Sequence, residues 1–198
     1  MHSPGGMEAT HTTREAWLVG ASSLLAPILK DAGLELSAVR VSCGWPAKGA
    51  LARKRRVGEC WPAALNKDGQ SHVFVSPCKD DPADVLGILL HELIHAALPA
   101  KVGHKGPFAR AARACGLEGK PSETTVGAGL AARLNVEVVP ALGPYPHQAI
   151  DASRRPKQRT RLRLYECACP VKVRVARDEF DATCNVCSSP FVKQGGGG

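Results

Sequence analysis

The chain has 198 residues, 44% of them apolar, and a net charge of +8. That composition excludes a fibrous or wholly disordered chain and allows one ordinary core plus a small satellite module. Met1 to Trp17 lacks the apolar run of a secretory signal, and the greasiest stretch, Val85 to Leu98, is too short for a bilayer and contains two histidines and a glutamate. The expectation is a cytoplasmic chain with no membrane partner, whose eight cysteines are metal ligands and reduced thiols rather than a disulfide framework.

In chain order, Thr12 with Glu15 forms a capping-box start, and Trp17, Leu18, Ala21, Leu24, Leu25 and Ile28 recur at helical spacing until about Gly33. Three β-prone runs follow, Ala38 to Trp45, Arg56 to Trp61 and His72 to Ser76. They predict a small antiparallel sheet, and the last run, just before the next helix, is the candidate edge to which an extended peptide could add. Asp81 can cap a helix with Pro82 at its first position and Asp84 in its first turn, running apolar to Pro99. Pro107 opens a shorter helix, Phe108 to Cys115, closed by Gly116. Lys120 to Leu142 has no decisive pattern, and Gly143 to Arg159, with three prolines, reads as a linker. Beyond it, Arg161 to Tyr165 and Val171 to Val175 alternate as two short strands, and the final glycines read as a tail. The fold class expected is α+β, with a domain over 10–125, a connecting segment over 126–157 and a small β module over 158–193.

The chemistry concentrates in His91-Glu92-Leu93-Ile94-His95. Imidazoles at i and i+4 on a helix lie on one face a turn apart and can share one zinc ion. Glu92 sits beside that metal without being needed as a ligand, which is where a general base belongs. A hydrolytic zinc needs a third protein ligand and an open position; His104 is the candidate, brought back by the turn from Pro99 to Gly103. His2, His11, His72 and His147 carry no assigned role.

His91 to His95, followed by Gly103-His104-Lys105-Gly106-Pro107-Phe108, resembles the SprT-like family of zinc metallopeptidases, which includes the Spartan proteases. Leu142 to His147, with the basic segment and cysteines after it, is similar to a bacterial and phage subgroup, so the resemblance spans residues 14–192. It implies a zincin-like fold, zinc on His91, His95 and His104, Glu92 as catalytic base, and protein substrates held on DNA.

Cys167-Ala168-Cys169 and Cys184-Asn185-Val186-Cys187 suit a four-thiolate structural zinc in a zinc-ribbon-like module, although the first pair has one intervening residue rather than the usual two. Cys43, Cys60, Cys78 and Cys115 read as ordinary buried thiols. From Arg154 to Arg177, nine Lys or Arg residues face only Glu166. Arg154, Arg155, Lys157, Arg159, Arg161, Arg163, Lys172 and Arg174 are the candidates for contacting DNA or RNA phosphates without sequence specificity. Arg53 to Arg56 either extends that surface or is a solvated loop. Two other functions fit the same residues: a non-catalytic nucleic-acid-binding accessory protein, and a general peptidase indifferent to DNA.

Overall fold

The computed structural model describes residues 11–49, 55–154 and 162–194, and the chain forms two compact units, Met1–Ala152 and Ser153–Gly198. The first is mixed α+β. Helix α1 (Arg14–Asp31) is capped by Thr13, whose Oγ1 accepts from the Ala16 N–H at 3.2 Å. The cap therefore falls one residue after Thr12, and Glu15 does not reach back to it. Its carboxylate accepts instead from the Cys43 N–H at 3.3 Å, tying α1 to the first strand. Trp17, Leu18, Ala21, Leu25 and Leu29 are fully buried along one stripe, and Gly33 turns the chain out at φ 75°.

Strands β1 (Val39–Cys43), β2 (Gly58–Trp61) and β3 (Ser71–Val75) form a sheet in the order β1-β3-β2. It is mixed rather than antiparallel: β2 runs antiparallel to β3, but β1 runs parallel to it. The expected edge, His72 to Ser76, is the centre. Val73 and Val75 are fully buried in β3, which carries no charge, whereas β2 has Glu59 and a partly exposed Trp61 and tolerates the open side.

Helix α2 (Pro82–Ala97) packs on this sheet. Asp81 Oδ1 accepts from the Asp84 N–H at 2.9 Å, and Pro82 stands in the first turn, as its sequence predicts. Leu86, Leu89, Leu90, Leu93 and Ile94 are fully buried, and Pro99 prevents the helix from continuing. Helix α3 (Gly106–Ala114) follows, closed by Gly116 at φ 83°.

The stretch without a sequence pattern resolves into a hairpin, β4 (Leu117–Lys120) and β5 (Glu123–Val126), and a broken helical run: α4 (Ala128–Arg133), a π turn (Leu134–Val138) and α5 (Val139–Leu142). Leu130, Leu134, Val138 and Leu142 enter the core at intervals of four. Pro140 lacks the N–H that an unbroken helix would need. The following segment is not a linker as far as Ala152. Buried Arg14 donates from Nε to the Pro146 carbonyl at 3.2 Å, from Nη1 to the Pro77 carbonyl at 3.3 Å and from Nη2 to that of Gln148. Trp17 Nε1 donates to the Gly143 carbonyl at 3.1 Å, and its ring meets buried Tyr145 edge-on at 4.9 Å. The first unit thus extends past residue 125.

The second unit is a three-stranded antiparallel sheet, β6 (Arg163–Glu166), β7 (Lys172–Val175) and β8 (Val192–Lys193), in the order β7-β6-β8. Tyr165 packs on Phe180 and Phe180 on Phe191, a core too small to hold such a unit without a staple. Among the described residues no helix is long and apolar enough to cross a membrane.

Candidate metal centre

Helix α2 delivers His91 and His95 one turn apart, and the Ala100–Val102 turn brings His104 back over them. The Nε2 atom of His104 lies 3.2 Å from that of His91 and 3.0 Å from that of His95. Three nitrogens on a tetrahedral ion at about 2.1 Å would be separated by about 3.4 Å, so the donor set fits zinc. The rings share one support: Phe108, fully buried at the start of α3, stacks on His95 at 4.2 Å and lies 4.8 Å from His91 and 5.1 Å from His104.

Burial, reinforced by the neighbouring imidazoles, holds His91 down to about 4 and His95 to about 3. His104 is also lowered, by burial and then by the charge of Arg56. All three are neutral at physiological pH, the form that ligates a metal.

Glu92 is 7% exposed and faces the sheet edge rather than solvent. Burial pushes its carboxyl up to about 8; Arg56 opposes that shift and Glu59 adds to it. The fit against β2 leaves no room for a side chain at Gly58, where a Cβ would stand 2.5 Å from Glu92 Oε1. A cleft of about 740 Å³ opens over these groups, with Arg56, Gly58 and Cys60 on the β2 side and Glu123, Thr124 and Thr125 on the hairpin side. Sequence reasoning identified the histidines and Glu92 but neither wall. Gly58 and Thr124, which lies 2.8 Å from His91 Nδ1, act through tertiary contacts that no local spacing announces, whereas Phe108 already stands in the Gly103–Phe108 stretch that carries the family resemblance.

In the second unit Cys167, Cys169, Cys184 and Cys187 bring their sulfurs within 4.8 Å of one another despite the short first pair. Separations of 3.3 Å for Cys167–Cys169 and 3.7 Å for Cys169–Cys184 are far beyond a disulfide and close to the roughly 3.8 Å between thiolates on one tetrahedral zinc. Cys187 is drawn down to about 6, chiefly by the Ser189 N–H, while hydrogen bonding to Cys167 and Cys187 pushes Cys169 up to about 12, the sign of thiols sharing protons in one tight cluster. The other four thiols are less uniform than expected. Cys115 is buried, but Cys43, Cys60 and Cys78 are only half-buried, and Cys60 lines the cleft with its thiol pushed up to about 12 by burial.

Of the cationic candidates, Arg155, Lys157, Arg159 and Arg161 lie outside the described residues, as do Arg53 and Lys54. Arg154 is exposed. Strand register separates the rest: Lys172 and Arg174 share one face of the ribbon, and Arg163 sits on the other beside Tyr165. There Asp178 engages both Arg163 and Lys193 at 2.9 Å. Lys172 lies 3.7 Å from Glu166 on the outer face.

The chain matches no protein-family model, no curated protein and no solved structure.

Proposed function

We propose that the first unit is a zinc-dependent endopeptidase of the SprT-like type, zincin-like in architecture, and that the second is a zinc-ribbon-like module drawing it to proteins on nucleic acid. The observation that carries the catalytic part is the convergence of three neutral imidazoles beside a buried carboxylate in one cleft.

His91, His95 and His104 would hold the catalytic ion, and the four thiolates a structural one. Bound at the histidines, zinc would supply Lewis acidity toward a carbonyl and a water, and a charge that draws Glu92 toward its ionised form. Glu92, buried against Gly58 in the wall of the cleft, is the group to accept a proton from the attacking water and return it to the leaving amine. On β2, the side turned away from β3 offers Gly58–Trp61 to an extended peptide as an added strand, which would carry the scissile bond past Glu92. Lys172 and Arg174 on one face of the ribbon, and the net charge of +8, support phosphate contact without base reading.

The test is proteolysis of a basic protein by the zinc-loaded chain, with and without DNA. Fragments that depend on DNA support the whole reading, and equal fragments without it leave a general peptidase. DNA binding without fragments leaves a nucleic-acid-binding accessory protein.

A further inference from the structure

Strand β5 lies along α2 in a register that ends at the metal centre. Thr124 and Val126, two apart on a strand, share a face; Gly87 and His91, four apart on a helix, share a face as well. Two strand residues advance about 6.6 Å and four helical residues about 6 Å, so the pairs Val126 with Gly87 and Thr124 with His91 can form together. Both are present. A Cβ on Gly87 would stand 2.5 Å from Val126 Cγ2, and Thr124 Oγ1 lies 2.8 Å from His91 Nδ1.

The second contact decides a tautomer. An imidazole that offers its Nε2 lone pair to a metal carries its hydrogen on Nδ1, and the Thr124 hydroxyl is placed to accept it. Among the described residues, neither His95 nor His104 makes a hydrogen bond through Nδ1, so His91 is the ligand held from behind.

We propose that Gly87 and Thr124 are positioning residues for His91: the bare backbone at Gly87 lets β5 settle onto α2, which sets the Thr124 hydroxyl on Nδ1. The inference rests on the reading of the three histidines as metal ligands, and goes beyond it by assigning the hairpin a part in ligand geometry.

The experiment is a zinc titration of the full metal-free chain, read site by site from the imidazole nitrogen NMR shifts. Thr124→Val, which preserves shape but removes the hydroxyl, should weaken zinc at the histidine site about 10- to 100-fold, and Thr124→Ser should stay close to wild type. Gly87→Ala should weaken it comparably by lifting the hairpin, and the double variant Gly87→Ala/Thr124→Val should lose little beyond either single change. A Thr124→Val chain that binds zinc at His91 as tightly as wild type, its hydrogen still on Nδ1, overturns the proposal. Wild-type imidazoles that ignore zinc overturn the metal reading beneath it.

Discussion

Gly58→Ala places one methyl group where the account leaves no space. The added Cβ would stand 2.5 Å from Glu92 Oε1, 2.9 Å from Glu92 Cγ and 2.8 Å from Ile88 Cγ2, whereas ordinary contact begins near 3.4 Å. The carboxylate must therefore retreat by about 0.9 Å, or β2 must lift from α2. Overpacking of this kind costs about 1–3 kcal/mol of stability. A general base displaced by about 1 Å loses about 100-fold in rate. The expected result is a folded chain with wild-type zinc affinity at its histidines and a kcat about 100-fold lower, measured by peptide hydrolysis at matched zinc occupancy. Retention of full kcat in a folded Gly58→Ala chain would refute the placement of Glu92 against the strand edge.

Arg14→Met should cost about 3 kcal/mol in denaturant unfolding, because the Pro146, Gln148 and Pro77 carbonyls lose their donor, and should loosen 143–148 in hydrogen exchange. In the metal-free chain, His91 and His95 titrate below their ordinary 6.5, so their stabilisation is present above that pH and is lost as pH falls toward 3. Glu92 titrates above its ordinary 4.5, so the folded state binds the extra proton and stability declines from pH 4.5 up to about 8. The melting temperature should therefore fall between pH 6.5 and 8, and Glu92→Gln should flatten that limb. Cys184→Ser, or exhaustive chelation, should collapse the dispersed amide spectrum of the second unit, since its aromatic core is too small to stand alone.

What could be read in advance divides by range. The i, i+4 histidines with Glu92 between them, the Asp81-Pro82 cap and the pairs of cysteines are local patterns, and the structure brings each histidine and each cysteine group together. His104 was reachable because Pro99 and Gly103 mark the turn before it. Pairing direction was not legible, because alternation in Val39–Cys43 is the same whether the strand runs with β3 or against it. Nor was the role of 126–152. Its buried Leu130, Leu134, Val138 and Leu142 belong to a helical run broken by a π turn and Pro140, and its tail is held by Arg14, more than 130 residues earlier, through backbone carbonyls that carry no side-chain signature. Gly58, Gly87 and Thr124 were silent for a related reason: each matters for what another element presses against it.

The central claim is hydrolysis of peptide bonds at the histidine centre with Glu92 moving the proton. Its most direct test compares wild type and Glu92→Gln at equal zinc occupancy on an unfolded protein substrate. The account predicts fragments from wild type and a rate at least about 100-fold lower from the variant, with zinc still bound at His91, His95 and His104. Equal rates from the two chains, or no fragments from a fully loaded wild type, would contradict it.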